Sequence, residues 1–356
     1  MTVAVGMSGG VDSSVAALLL LRAGHSVSGV FMRIWPGPEA PAAAKSGCYG
    51  PDEAGDIRAA AEVCAKLGLA FRVVDCSADY EDLVLRYFRD AYAAGTTPNP
   101  CVRCNQLVKF GVLPGIARAS GLLFDRFATG HYARTAVDPS SGRILLKRAV
   151  DKAKDQSYFL YRLGQTQLAA VLFPLGELTK ARVRTIAREA GLPVHDKKES
   201  QDFYGGDLAD ILGPGGPGGE IVDREGRVLG RHRGVGRYTI GQRKGLGIAS
   251  PVPLYVIGID AGANRLVVGP ESETLRMSAI VRDCIWGPFE TLDGPAAVRV
   301  KVRSGGRLVP ATIAPIEGAR CRVDFAASVS AVAPGQSAVF YDDETVVGGG
   351  VIESAA

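Results

Sequence analysis

The chain has 356 residues, 47% hydrophobic and 22% charged, with a formal net charge of +4, so it is long enough for two or three cores and too weakly basic to require a nucleic-acid partner or to exclude one. Met1 runs straight into an apolar stretch without an export signal, and the longest apolar run near the N-terminus, Val15 to Leu21, is too short to span a bilayer. Seven cysteines without disulfide-scaffold spacing fit a reducing compartment, so a cytoplasmic protein with no membrane partner is expected.

The first predicted strand, Thr2 to Val5, breaks into Gly6-Met7-Ser8-Gly9-Gly10-Val11-Asp12-Ser13-Ser14, and a helical run covers Val11 to Ala23. Such a turn offers free backbone N–H groups and the positive end of a helix dipole to an anion. Gly6, Gly9 and Gly10 let the main chain approach closely, and Ser8, Ser13 and Ser14 add donors. No lysine follows the glycines, so the loop is not the Gly-x-x-x-x-Gly-Lys type. Ser8 to Ser14 instead resembles the Ser-Gly-Gly-x-Asp-Ser loop of enzymes that cut ATP between its α- and β-phosphates. That resemblance implies a cradle for the leaving pyrophosphate. An ordinary glycine-rich turn is the plainer alternative, and the run of matching positions in a strand, loop and helix context argues against it.

Strands follow at Ser26 to Met32, Ala70 to Val74 and Arg126 to Thr129, separated by helices at Asp56 to Leu67, Tyr80 to Ala94 and Lys109 to Ala119. Tyr80, Leu83, Val84, Tyr87, Phe88 and Ala91 share one helical face. The alternation predicts a doubly wound, Rossmann-like parallel sheet with the glycine loop at the carboxyl end of its first strand. Between the second and third of these helices stands Thr97-Pro-Asn-Pro-Cys-Val-Arg-Cys-Asn105, a stiff loop expected to lead into a helix N-terminus, where thiol pKa values fall. The spacing of Cys101 and Cys104 suits a redox pair, two ligands of a metal or iron–sulfur site, or two inert thiols.

A helix at Thr179 to Ala190, capped by Thr179 and stopped by Gly191 and Pro193, closes the first domain, and Gly213 to Gly219 reads as a linker. Beyond 220 short alternating runs such as Val298, Val300 and Val302 predict β-structure. The fold class is therefore α/β: an ATP-pyrophosphatase domain at 1–203, a small central β-rich module at 204–275 and a C-terminal β-barrel at 276–356. Arg224, Arg227, Arg231, His232, Arg233, Arg237, Arg243 and Lys244 crowd the central module and would track a phosphate backbone, or simply form a solvated face. Tyr238 among them is expected to pack rather than to stack on a base.

The opening loop, Pro98-Asn-Pro-Cys-Val-Arg-Cys-Asn105, Ala128-Thr-Gly-His-Tyr132, Lys154-Asp-Gln-Ser-Tyr-Phe-Leu160, Thr239-Ile-Gly-Gln-Arg-Lys-Gly-Leu-Gly247, Pro334-Gly-Gln336 and Val346-Val-Gly-Gly-Gly350 stand in the order found in tRNA-specific 2-thiouridylases, and the resemblance spans nearly the whole chain. It implies adenylation of O2 of the wobble uridine of tRNA by ATP with Mg²⁺, loss of pyrophosphate, attack of a sulfur on C2 and departure of AMP. The sulfur would come from a persulfide carrier protein or from sulfide. By this resemblance Gly6, Met7, Ser8, Gly9, Gly10, Val11, Asp12 and Ser13 bind ATP, with Met32 and Gly130 against the adenosine and Asp12 as partner of the Mg²⁺. Cys104 matches the nucleophile. Asn99, Pro100 and Cys101 match the segment that meets the base, and His131, Lys154, Asp155, Gln156 and Gln336 match tRNA contacts.

One departure is plain. The family commonly carries a second catalytic cysteine where this chain reads Glu199-Ser-Gln-Asp-Phe-Tyr-Gly205, with Tyr204 at the expected position and no cysteine between Cys104 and Cys284. Two repairs are open. Cys104 carries a persulfide that Cys101 resolves as a disulfide, or Cys48, Cys101 and Cys104 hold a [4Fe–4S] cluster that binds the transferable sulfur. The cluster is favoured because it explains Cys48 and the missing cysteine together. Cys64, Cys76, Cys284 and Cys321 are expected to be structural. Two other functions compete: a synthetase of the same superfamily that adenylates another acceptor, and a nucleotide-dependent RNA-binding protein without thiolation activity.

Overall fold

The computed structural model describes residues 1–37, 47–197, 202–206, 208–213 and 216–356. The chain divides into two compact units: Met1–Val84 with Cys101–Gly206 and Glu344–Val346, and Leu85–Pro100 with Asp207–Asp343 and Val347–Ala356.

In the first unit β1 (Thr2–Gly6), β2 (Ser26–Arg33), β3 (Gly47–Tyr49), β4 (Ala70–Asp75), β5 (Arg126–Thr129), β6 (Ala133–Val137), β7 (Ile144–Arg148), β8 (Val171–Leu172) and β9 (Asp202–Tyr204) form three groups. A parallel sheet runs β4-β2-β1-β5-β8, the predicted doubly wound arrangement with β1 at its centre. β6 and β7 form an antiparallel hairpin, with Lys147 opposite Thr345. β3 and β9 pair in parallel as a separate ribbon. Helices Val11–Arg22, Glu53–Leu67 and Lys180–Glu189 contribute Val15, Ala16, Val63, Val183 and Ile186 to a core shared with Val3, Val5 and Phe31 of the sheet. Thr179 caps the last of these helices by accepting from Arg182 N at 3.3 Å.

The helix around the thiols departs from expectation. It begins at Pro100, not Lys109, so Cys101 lies in its first turn and Cys104 opens a π-helical stretch, Cys104–Val112, before Leu113–Ala119 continues as α-helix. A proline is favourable in the first turn because its missing N–H is unused there. The wider π-turns are a deformation that recurs at functional sites.

The second unit has two β-structures. A four-stranded sheet orders Val228–His232, Gly219–Val222, Arg265–Gly269 and Tyr255–Asp260 around Ile221, Val256, Leu266 and Val268. Gly219 is therefore a strand residue, and within the expected linker Pro214 and Gly215 lie outside the described residues. Six strands, Leu275–Trp286, Ala296–Lys301, Val309–Ile316, Arg320–Ser330, Ser337–Asp342 and Thr345–Ala355, form a barrel closed by pairing of the first with the last. Val298, Val300 and Val302 point inward as their alternation predicts, and Cys284 and Cys321 face each other with sulfurs 3.5 Å apart. Among the described residues no helix is long and apolar enough to cross a membrane.

Candidate active site

The glycine loop follows β1 and ends at Gly10, whose extended backbone (φ −105°, ψ 170°) starts helix Val11–Arg22 without a side-chain cap. The leading amides of that helix are thus left for an anion. Ser13 and Ser14 do not serve as spare donors: both are buried, Ser13 Oγ bonding Ser8 N at 3.1 Å and Gly10 O at 3.2 Å, and Ser14 Oγ donating to Gly10 O at 2.8 Å. They brace the loop, while Ser8 stays exposed. Met7 and Val11 are buried in the core, so only their backbone can meet a ligand. Gly9 sits at φ +68°, and a Cβ there would lie 2.4 Å from Asp56 O. Lys197 holds the same spot, with Nζ 3.0 Å from Gly9 O and paired to Asp56. Gly130, after β5, leaves no room for a Cβ either, which would come within 2.6 Å of Ser13 N. Met32 is half-buried near the end of β2.

Asp12 stands in the first turn of that helix, where its carboxylate takes Lys180 Nζ at 2.8 Å on both oxygens and Tyr132 OH at 2.8 Å. Lys180 is 8% exposed and anchored through its backbone N to Asp151 at 2.9 Å. An ammonium so enclosed needs an anion beside it. Carboxylate oxygens suit a hard divalent cation, and Asp12 is the carboxylate in the first turn of that helix. Sequence reasoning missed Lys180, which lies 168 residues from Asp12. Only the fold joins the two.

The three thiols differ in exposure: Cys48 is exposed, Cys101 half-buried and Cys104 buried. Burial pushes the Cys104 thiol up to about 11, with the charge of Lys109 acting the other way. Tyr80, fully buried, is driven well above its ordinary value by burial first and then by the thiols of Cys104, Cys101 and Cys48 around it. Next to Cys104, Asn105 donates to Phe159 O at 3.1 Å while its Oδ1 is buried without a partner among the described residues. Among the described residues no group of three or more His, Cys, Asp or Glu side chains is arranged to hold a metal ion. Cys48 lies on a strand and Cys104 at the start of a π-helical stretch. Cys64 and Cys76 are fully buried, and burial raises them to about 11 and about 12, as suits inert core thiols.

The residues matched to tRNA contacts fall into different situations. In the first unit Asp155 is consumed by the fold, bonding Arg148 Nε at 3.0 Å, Ala149 N at 3.1 Å and Ser157. Gln156 bonds Tyr132 through both side chain and backbone at 2.9 Å, Lys154 is half-buried, and His131 packs against Phe110 and Phe173, which also touch each other. Burial first and Lys109 second hold the His131 imidazole neutral, far below its usual value. In the second unit Asn99 and Pro100 are buried, and Gln336 Nε2 donates to Thr97 O at 3.3 Å and Pro98 O at 3.0 Å. Thr97 Oγ1 meets Thr239 Oγ1 at 3.3 Å, so two distant motifs converge on the Thr97–Pro98 segment. Of the basic module, Arg231, Arg233, Arg243 and Lys244 are exposed. His232 is buried and bonded to Asn264 O at 3.0 Å, Arg227 is paired to Asp223, and Tyr238 is packed.

Family models match in three stretches, described as a tRNA methyl transferase HUP domain over residues 1–204, a tRNA methyl transferase PRC-barrel domain over 208–270 and an aminomethyltransferase beta-barrel domain over 278–352. The tRNA-specific 2-thiouridylase MnmA of Endomicrobium trichonymphae is 45% identical over 361 residues, covering 99% of each chain. The chain belongs to the tRNA-specific 2-thiouridylase family. Other members include those of a Synechococcus strain, 44% identical over 99% of this chain and 97% of that one, and of Clostridium perfringens, 42% identical over 99% and 98%. Among solved structures, a 4-thiouridine synthetase–RNA complex with bound ATP is 15% identical over 57% of this chain and 45% of that one, with a TM-score of 0.35.

Proposed function

We propose that this 2-thiouridylase family member converts the wobble uridine of tRNA to 2-thiouridine at the expense of ATP, and that its two half-reactions are carried by the Ser8–Ser14 loop and by the Cys101–Cys104 pair. The observation that carries the reading is the uncapped helix start behind a loop closed by Gly9 and Gly130, with the Lys180–Asp12 pair at its mouth. The helix amides and Lys180 would bind the β- and γ-phosphates, and Asp12 would hold Mg²⁺, whose charge neutralises them. O2 of the uridine attacks the α-phosphorus and pyrophosphate leaves. A poor leaving oxygen has then become part of AMP.

For the sulfur half, the outer sulfur of a persulfide on Cys104 attacks C2, and the C2–O bond breaks as AMP departs. The Cys101 thiolate then attacks Cys104 Sγ, the S–S pair passes to the sulfur on C2, and 2-thiouridine is released. A dithiol reductant reopens the resulting Cys101–Cys104 disulfide. Helical spacing of three residues places these thiols on one face.

The division into modules at 1–203, 204–275 and 276–356 belongs to the same proposal, supported by the separate cores of the central sheet and the barrel. A cytoplasmic setting also belongs to it, supported by seven cysteines of which none is in a disulfide. Methyl transfer, named in two family-model descriptions, needs no pyrophosphatase loop. The test is a paired assay of tRNA-dependent pyrophosphate release and of 2-thiouridine in digested tRNA. Pyrophosphate without 2-thiouridine would indicate another acceptor chemistry, and neither product would indicate a binding protein.

A further inference from the structure

The ribbon of β3 and β9 puts a thiol beside the position from which one is missing. Gly47 pairs with Asp202 and Tyr49 with Tyr204, so Cys48 lies one residue from the partner of the position where the family's second cysteine is expected. The two backbones are pressed together, for a Cβ on Gly47 would come within 2.7 Å of Gly205 N and 3.1 Å of the Tyr204 backbone. Strand alternation turns Tyr49 inward and Cys48 outward. Tyr49 stacks on Tyr80 at 5.4 Å and on Phe203 at 6.0 Å. Tyr80 ends the helix Ser77–Tyr80, which packs against the helical stretch opened by Cys104. The ribbon is thus tied to the Cys104 helix through one aromatic stack, and Cys48 is close enough to Cys104 for their charges to interact.

Exposure supplies the second argument. Of the seven cysteines, all among the described residues, Cys48 is the exposed one, whereas Cys104 is 9% exposed. A sulfur borne on another protein's cysteine cannot reach a buried Cys104 directly, but it can reach Cys48. We infer that Cys48 is the entry thiol of the sulfur-delivering half: it takes sulfane sulfur from a donor persulfide at the surface and passes it to Cys104. The Cys48 thiolate attacks the outer sulfur of R–S–SH, and R–S⁻ leaves with the S–S electron pair and takes a proton. The Cys104 thiolate then attacks the outer sulfur of the Cys48 persulfide, and Cys48 departs as the thiolate. Both steps exchange a thiol for a persulfide, with no net oxidation and no added co-reactant.

The inference rests on the thiolation reading above, and its test separates the two. Wild type, Cys48→Ser and Cys48→Ser/Tyr204→Cys would be incubated with glutathione persulfide, and separately with a persulfidated carrier protein, then mapped by peptide mass and assayed for 2-thiouridine and pyrophosphate. Wild type should gain one sulfur on the Cys48 peptide. Cys48→Ser should keep pyrophosphate release while its thiolation with the carrier protein falls by about tenfold or more, as expected when the attacking thiol of an exchange is removed. The Tyr204→Cys change should restore part of it from the neighbouring strand. Undiminished thiolation by Cys48→Ser, or sulfur loading of Cys104 in that variant at the wild-type rate, would overturn the entry role. A wild-type protein that loads Cys48 yet forms no 2-thiouridine would contradict the thiolation reading and leave the entry thiol supported.

Discussion

The nucleotide loop and the thiol region share one compact unit but are built in opposite ways. Around the loop nearly every polar side chain has a fixed partner within the fold: Ser13 and Ser14 bond Gly10, Lys197 bonds Gly9, and Asp12 is held by Lys180 and Tyr132. The thiols instead are spread over a short ribbon, the first turn of a helix and the π-helical stretch after it, graded from exposed to buried, with Asn105 Oδ1, unbonded among the described residues, beside them. Adenylation profits from preorganised charge, whereas sulfur transfer moves an atom between groups and requires access. The difference teaches that the second half of a reaction can be rearranged while the first is held fixed.

Breaking the preorganised side should have the largest effect. Lys180→Met should lower tRNA-dependent pyrophosphate release by about 100-fold or more, the scale for removing a charge-stabilising donor, with the fold retained; a rate within twofold of wild type would remove Lys180 from the phosphate site. Cys104→Ser should sharpen the contrast by abolishing 2-thiouridine while pyrophosphate release persists, measured on the same samples. Gly9→Ala should weaken both ATP affinity and stability, by about 1–3 kcal/mol for a strained left-handed position, since φ is +68° and Asp56 O closes the space; denaturant titration with and without ATP reads both.

A smaller effect tests the thiol side by pH. Cys104 must lose a proton to react, and burial lifts that step to about 11 from 9.0, so its alkylation in the folded protein should rise by about tenfold per pH unit toward about 11. The folded state then holds the proton more tightly than the unfolded one. Its stabilising contribution is complete below pH 9.0 and is lost as pH rises toward about 11. Smallest of all is Glu344→Gln. Lys152 and Arg134 pull this half-buried carboxylate down to about 2 from 4.5, so its contribution is present above 4.5 and lost as pH falls toward about 2. The variant should melt slightly lower than wild type at pH 7, and the difference should vanish near pH 2.

The parallel sheet and the anion loop were legible because both are written in contiguous residues: an apolar run, glycines and a helix, with a period that local sequence carries. Lys180 was not, because its partner Asp12 is distant in the chain and a lysine at a helix start reads as surface. The thiol helix was misplaced because Pro100 was read as a stiffening loop residue, while the structure uses it in the first turn. Cys48 was singled out by its loop and topology, but its register beside Tyr204 exists only once β3 and β9 pair. Asp155 matches a tRNA contact by motif and is also bonded to Arg148, a use that only packing reveals.

The central claim is that an intact activating half is coupled to a rebuilt sulfur-delivering half in one chain. The most direct test is to measure, with purified protein, tRNA, ATP, Mg²⁺ and a persulfide donor, the pyrophosphate released and the 2-thiouridine formed in the same reaction. The account predicts equal amounts for wild type, and pyrophosphate without 2-thiouridine for Cys104→Ser. Undiminished 2-thiouridine from Cys104→Ser, or pyrophosphate release that does not depend on tRNA, would contradict it.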